Sequence, residues 1–466
     1  MIASSAFAGK RYAVYGLARS GMATVEALVE SGAEVMAWDQ NEAARERVSS
    51  SPSRSDGEGD QAKPGGGAEG AESPSTGFQP VPLPTTFARR EDQVRLADPL
   101  TTSIYGFDGI VVSPGVPLNR HPIAARAREA GVPLIGDIEL FALARPTLPP
   151  HLVVGITGTN GKSTTTALVH HIVRTAGRPS TMAGNIGFPI LGQYPLAEGG
   201  VYVLELSSYQ IDLTHSLDCD VSVLLNITPD HLDRYDGVDH YAASKARLFA
   251  MQSADHVAVI AAEDDYTRSV VGQIKGRKML VSSDQVKDQS LWPTLQGPHN
   301  AQNIAAAVAV AKALGVSEES IARGLATYPG LPHRMERVAE KNGVLFVNDS
   351  KATNPTSAAP ALAAYPAVHW ILGGLPKSDD LDACEPFLGH VRAAYTIGEA
   401  GPMFARLLRE KVPVNECEML FEAVGAAAEA ARPGEVVLLS PACASFDQFR
   451  DYEARGDAFR AAVEAL

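Results

Sequence analysis

The sequence predicts an α/β fold of three successive domains with largely parallel sheets, and three observations support that expectation. Short apolar runs alternate with helical patterns along the 466 residues, and strands joined through helices pair in parallel. Two Pro-rich joints, R-P-T-L-P-P-H from Arg145 and Y-P-G-L-P-H-R from Tyr328, interrupt the alternation. The chain is also longer than one hydrophobic core sustains. The expected domains are residues 1–145, 146–330 and 331–466, with no internal repeat.

Composition narrows the function classes. Hydrophobic residues make up 45% and charged residues 20% of the chain, as in a globular protein. A net charge of −14 argues against nucleic acid or an anionic membrane as the main partner. Anionic substrates would therefore need local Lys, Arg or Mg²⁺. Cys219, Cys384, Cys417 and Cys443 form no C-x-x-C pair, which fits a reducing cytoplasm without disulfides or structural zinc. The N-terminus lacks a signal-peptide pattern. The most apolar stretch, Ile304 to Leu314, is too short for a membrane span and contains Lys312.

The first domain opens with an apolar run, Tyr12 to Tyr15, then the turn G-L-A-R-S-G-M, a helical pattern, and a second run ending at Asp39. This is a Rossmann-like strand–loop–helix–strand unit. Another strand starts at Gly109. Between them, Ser49 to Gly77 contains no Val, Ile, Leu, Met or aromatic residue and is expected to be a flexible insertion.

The second domain begins with the strand L-V-V-G-I-T, the loop G-T-N-G-K-S-T (Gly158 to Thr164) and a helix. Its glycines depart from the usual phosphate-loop spelling, which would put the first one at Ile156. The strand–loop–helix setting still suits an anion, giving a domain like that of phosphate-loop ATPases. Lys162 would reach terminal phosphates and Ser163 would ligate Mg²⁺. Glu205 ends an apolar strand, where a carboxylate is costly unless paired or metal-bound. Val221 to Ile227 reads as a buried strand, leaving Asp230, His231 and Asp233 in the loop beyond it. Lys245, in a helical stretch, reads by itself as a surface lysine. Asn300 and Asn303 start an Ala-rich helix, where amides either read a base edge or cap the helix.

The last domain is again Rossmann-like, with strands V-L-F-V, V-H-W-I and E-V-V-L. Each leads into a polar loop: N-D-S-K-A-T-N-P, L-G-G-L-P-K-S-D and L-S-P-A-C-A-S-F-D-Q-F. Three such loops at one end of a parallel sheet point to a shared substrate site.

In order, G-T-N-G-K-S-T, L-E-L-S-S-Y-Q, N-I-T-P-D-H-L-D-R-Y, H-N-x-x-N, H-R-M-E and D-S-K-A-T-N resemble the Mur ligases of peptidoglycan synthesis. These are three-domain, ATP-dependent, amide-bond-forming enzymes related to folylpolyglutamate synthetase. The loops D-S-K-A-T-N-P and S-P-A-C-A-S-F-D-Q-F look like the branch that adds D-glutamate to UDP-N-acetylmuramoyl-L-alanine. The resemblance implies that Gly158, Thr159, Asn160, Gly161, Lys162, Ser163 and Thr164 hold ATP phosphates. Ser163 and Glu205 would bind one Mg²⁺. His231 would help hold a second and meet the UDP-linked substrate, with Lys245 carbamylated as a metal ligand, which reverses the surface reading. Asn300, Asn303, Arg334 and Asp349 would take the rest of ATP. Thr353, Lys377, Ser445 and Tyr452, where the family usually has Phe, would bind D-glutamate. Arg19, Ser20, Asp39 and Asn185 would meet the uridine nucleotide, although Gly16-Leu17-Ala18 replaces a more usual G-x-G. Lys162, His231 and Lys245 would be the catalytic set of a monomeric cytoplasmic enzyme working through an acyl phosphate.

Three alternatives stay open on sequence alone. A phosphate-loop switch protein would explain the G-T-N-G-K-S-T loop but not the three C-terminal loops. A nicotinamide-dependent oxidoreductase would use the Gly16 to Asp39 spacing, with a weak glycine fingerprint against it. A sister ligase or a folylpolyglutamate synthetase would share most motifs.

Overall fold

The computed structural model describes residues 1–49 and 93–466. The expected insertion, from residue 50 onward, lies outside the described residues. The chain is a mixed α/β protein with three sheets. Two compact units are present, one formed by Met1–Leu148 with Pro189–Pro195 and the other by Pro149–Phe188 with Leu196–Leu466.

The first unit holds β1 (Arg11–Tyr15), β2 (Glu34–Trp38), β3 (Val94–Leu96), β4 (Gly109–Val112) and β5 (Leu134–Ile135), ordered β3-β2-β1-β4-β5. All pairings are parallel. Tyr12–Tyr15 of β1 and all of β4 are buried on both faces, as parallel strands covered by helices must be. Residues 189–195, which the sequence reading puts in the middle third, pack here instead. Ile190 and Leu191 are buried, and the Ile2 N–H donates to the Leu191 carbonyl at 2.8 Å. Two apolar side chains in a short 3-10 turn carry no periodicity that reveals which core they join.

In the second unit the first sheet comprises β6 (His151–Thr157), β7 (Ser180–Gly184), β8 (Gly200–Glu205), β9 (Val221–Leu224), β10 (Val257–Ala261) and β11 (Arg277–Val281). Its order is β11-β10-β9-β6-β8-β7, all parallel. β6 and β8 are neighbours, so the loops after Thr157 and Glu205 leave the same sheet edge side by side. β9 stops at Leu224, three residues before the expected Ile227. The Leu225 N–H still donates to the Thr157 carbonyl, and the Asn226 carbonyl then turns to the Thr159 N–H.

The second sheet of this unit contains β12 (Glu336–Lys341), β13 (Val344–Asn348), β14 (Val368–Gly373), β15 (Val391–Ile397), β16 (Val414–Glu416) and β17 (Val436–Leu439), ordered β12-β13-β17-β14-β15-β16. β12 and β13 form the one antiparallel pair among the described strands. They turn at Asn342-Gly343, both at positive φ (53° and 76°), the conformation an Asn-Gly hairpin turn requires. That signal was present in the sequence and β12 was not expected. Apolar clusters cover both faces, one around Trp370 and Phe404 and the other around Phe346, Ile371 and Phe459. β13, β17 and β14 are adjacent and parallel, so their three polar loops emerge together. Among the described residues no helix is long and apolar enough to cross a membrane.

Candidate functional site

The phosphate loop joins β6 to the Lys162–Thr175 helix. Ile156, where the usual spelling has glycine, is a fully buried strand residue. The glycines fall where the backbone needs them. Gly161 caps the helix at φ +81° without a side-chain cap, leaving first-turn N–H groups open to an anion. A Cβ there would press on the Asn303 amide oxygen. The Lys162 ammonium donates to the Gly158 and Thr159 carbonyls at 2.9 and 2.7 Å. Burial lowers its pKa, and nearby Glu205 opposes that shift. Ser163 is buried, and its Oγ accepts from the Arg334 guanidinium at 2.8 Å.

Glu205, at the end of β8, is 2% exposed. Its Oε1 accepts from the Asn185 amide at 2.8 Å, while its Oε2 is buried without a partner. An orphaned carboxylate oxygen beside a phosphate loop is a position that a cation would satisfy. Among the described residues no three His, Cys, Asp or Glu side chains converge to hold a metal by themselves. Asn185, expected with the uridine nucleotide, is placed by the structure on Glu205.

His231 sits in the loop after β9 at φ +55°, with its Nε2 3.5 Å from Asp230 and its ring 4.9 Å from that of Tyr209. Burial lowers its pKa, with Asp230 opposing, so the neutral imidazole is favoured. Lys245 is no surface lysine: it is 1% exposed, on the inner face of the Gly237–Ala250 helix. Its ammonium donates to the Gly158 carbonyl at 2.9 Å and lies 4.4 Å from the centre of the Tyr241 ring. Burial first, and Lys162 second, hold its pKa well below the usual lysine value.

A cleft opens beside the loop, lined by Asn160, Gly161, Thr164, Asn300, Asn303, Arg334, Asp349 and Lys351, among others. Asn300 and Asn303 are buried and bonded to each other at 3.0 Å, and the Thr165 hydroxyl donates to Asn303. Arg334 is flanked by His333 and Met335, both in the left-handed region. Asp349 accepts from the Ser440 hydroxyl at 2.8 Å and the Met335 N–H at 3.2 Å. Burial raises its pKa to about 7, against those two bonds and Arg334. Between roughly pH 4 and 7 the folded chain thus keeps a proton that the unfolded chain has lost. The cost of burying this carboxylate grows with pH and is complete above about 7. The Tm gap between Asp349→Asn and wild type is expected to move in the variant's favour by several degrees from pH 5 to pH 8. A gap independent of pH would show that the neighbours hold the charge at no cost.

At the ends of β13, β14 and β17 the remaining candidates gather. The Lys377 ammonium donates to the Thr353 hydroxyl at 3.2 Å. Leu375 and Ala444 exchange both backbone hydrogen bonds, joining the loops that carry Lys377 and buried Ser445. The Tyr452 carbonyl accepts from the Ser350 hydroxyl at 2.8 Å. Its ring centre lies 3.8 Å from the Lys351 ammonium, whose pKa burial lowers to about 8. Lys351 stands inside the quoted D-S-K-A-T-N-P motif, and only its position over Tyr452 and along the cleft singles it out. Arg455 was also missed. It is 1% exposed and donates to Ser350, Cys443 and Ala444, tying two of the loops together. In sequence it is one arginine in an ordinary amphipathic helix.

In the first unit, the Arg19–Glu30 helix starts without a side-chain cap, and Gly16 precedes it at φ +101°. The Asp39 carboxylate accepts from the Leu17 N–H at 2.6 Å and the Asn41 N–H at 2.8 Å, fixing the loop that leads into the helix started by Arg19 and Ser20.

Two family models match: the Mur ligase middle domain at residues 156–294, and the Mur ligase, glutamate ligase domain at residues 333–443. The chain is 59% identical to the UDP-N-acetylmuramoylalanine–D-glutamate ligase of Novosphingobium aromaticivorans, covering 100% of this chain and 97% of that one. It is 56% identical to the protein of that name from Sphingopyxis alaskensis, with both chains covered in full. Among solved structures, UDP-N-acetylmuramate–alanine ligase from Thermotoga maritima has a similar fold, with a TM-score of 0.54 at 15% identity, covering 98% of this chain and 99% of that one. A ligand complex of FolC from E. coli superposes with a TM-score of 0.52 at 19% identity, covering 71% and 93%. By its motifs, its matched domains and its full-length identity to these relatives, the chain belongs to the UDP-N-acetylmuramoylalanine–D-glutamate ligases of the Mur ligase family.

Proposed function

We propose that this chain joins D-glutamate to the L-alanyl carboxylate of UDP-N-acetylmuramoyl-L-alanine, driven by ATP, in the assembly of peptidoglycan precursors. The observation that carries this reading is 59% identity over the whole chain to a ligase of that name. The three sheets are read as a substrate-binding domain (1–145, against which residues 189–195 also pack), a central ATP-binding domain (the rest of 146–330) and a C-terminal amino-acid-binding domain (331–466).

A carboxylate does not acylate an amine at neutral pH because oxide is a poor leaving group, and transfer of the ATP γ-phosphoryl group supplies a better one. Within the Gly158 to Thr164 loop, the N–H groups not tied to Asn226, together with those of the first turn of the Lys162–Thr175 helix, would receive the phosphates. Lys162 would exchange its two loop carbonyls for phosphate oxygens, and Arg334, already on Ser163, would reach the same anion. Ser163 and the orphaned Glu205 oxygen would hold one Mg²⁺, and His231 with a carbamylated Lys245 would hold a second. Such ions would offset the charge that builds up between phosphate and carboxylate oxygens. Asn300, Asn303 and Asp349 are assigned to the adenosine half, and Arg19, Ser20 and Asp39 to the uridine nucleotide. Thr353, Lys377, Ser445 and Tyr452 would hold D-glutamate with its amine facing the acyl phosphate. Attack there gives a tetrahedral intermediate that expels phosphate.

Phosphate release from ATP, measured with UDP-N-acetylmuramoyl-L-alanine and a panel of amino acids, tests this directly. Release is expected to require both the nucleotide-sugar substrate and D-glutamate. Release with neither, or only with another amino acid, would overturn the assignment.

A further inference from the structure

The loop G-T-N-G-K-S-T is held from outside by the first residues of N-I-T-P-D-H. The Thr159 N–H donates to the Asn226 carbonyl at 2.8 Å. The Asn226 side chain then meets Asn160 twice: its Oδ1 accepts from the Asn160 N–H at 2.8 Å, and its Nδ2 donates to the Asn160 carbonyl at 3.2 Å. Two residues on, the Thr228 N–H donates to the Thr159 hydroxyl at 3.0 Å, and that hydroxyl donates to the Thr228 carbonyl at 3.2 Å. Asn226 is itself aimed by Gln302, whose Oε1 accepts from Nδ2 at 2.9 Å and whose amide is hydrogen-bonded to Glu263. Asn226, Asn160 and Gln302 all line the cleft.

We propose that Asn226 is a positioning residue that sets the tip of the phosphate loop and couples it to the His231 loop five residues on. A side-chain amide presents two N–H donors and an acceptor oxygen in one plane, so Asn226 pairs with both backbone groups of Asn160 while its nitrogen also serves Gln302. The Thr-Asn pair that displaces the usual glycine spacing is therefore the part of the loop gripped by Asn226 and Thr228. A nucleotide that moves the loop pulls the same strand end that carries Asp230 and His231. This inference rests on the assignment of the loop to ATP phosphates.

The comparison is between Asn226→Ala and Asn226→Asp, by steady-state kinetics and by the thermal shift that ADP with Mg²⁺ produces. Asparagine-to-aspartate keeps the acceptor for the Asn160 N–H, turns the donor into a repelled oxygen and adds negative charge beside the phosphates. The KM for ATP is expected to rise about 10-fold in Asn226→Ala and further in Asn226→Asp. The KM for D-glutamate should stay within about twofold, and the ligand-free Tm within a few degrees. A purely structural role would lower Tm and disturb every KM together, with the alanine variant at least as impaired as the aspartate one. That pattern, or an unchanged KM for ATP in both variants, would overturn the inference. A wild-type enzyme that releases no phosphate would instead count against the proposed reaction, with the ADP shift still reporting on Asn226.

Discussion

Replacing Lys245 by alanine is expected to lower kcat on the order of 10³-fold, with part of the loss restored by a small carboxylate such as formate. The reasoning starts from burial. Lys245 is 1% exposed, has one carbonyl within hydrogen-bond distance, and sits near the second cation, Lys162. A full ammonium is poorly accommodated there, which is why its pKa falls well below the usual value. Losing the proton would leave an amine, which is a nucleophile. Addition of its nitrogen to CO₂ would form an N–C bond, release one proton, and put an anion beside Lys162. The carbamate oxygens could then serve as hard-metal ligands, as a carboxylate does. An alanine variant leaves room for an added carboxylate to take that place. Full activity of the variant, or total loss that no carboxylate relieves, would remove this role.

Arg455→Lys is expected to raise the KM for D-glutamate about 10²-fold while leaving the ADP-induced thermal shift largely intact. The guanidinium donates from Nε to the Ser350 hydroxyl at 3.0 Å, and from Nη2 to the Ser350 and Cys443 carbonyls at 2.8 and 3.0 Å. Its Nη1 donates to the Ala444 carbonyl at 3.0 Å. Burial lowers its pKa to about 10, so it remains charged at neutral pH, with no carboxylate among these hydrogen-bond partners. A lysine has three donors on one atom and cannot span these acceptors. Each buried carbonyl left unpaired costs about 1–3 kcal/mol, so Tm should fall as well. The loops that loosen are those placing Ser445 and, through Leu375, Lys377. The diagnostic result is a glutamate KM that rises far more than the ATP KM. An Arg455→Lys enzyme with an unaltered glutamate KM would sink the assignment.

Much of the molecule could be read locally. The alternation of apolar runs and helices led to parallel sheets because a crossover helix demands them, and β1, β6, β8 and β13 appear where the runs lie. Lys162, Ser163 and Glu205 were legible because a strand end and a helix start place them by chain geometry alone. The Asn342-Gly343 turn was equally local, yet the short polar strand β12 before it carried no apolar alternation to draw attention. Lys245 was different: its helix pattern does not tell a lysine facing solvent from one folded under a neighbouring loop.

Tertiary structure decided the rest. Asn226 acts on the backbone of Asn160, 66 residues away, and Arg455 ties the nearby Cys443 and Ala444 carbonyls to Ser350, 105 residues away; a backbone partner leaves no mark in side-chain spelling. Residues 189–195 join the first unit because Ile190 and Leu191 are buried there, a choice that depends on a surface contributed by distant residues. Asp349 keeps its proton to about pH 7 because neighbouring segments exclude water from it. Local sequence was enough to place the candidate residues at strand ends, since backbone geometry there is short-range. The pKa values, the loop positions and the burial of Lys245 depend on desolvation and hydrogen bonds between remote segments, which only the packed chain brings together.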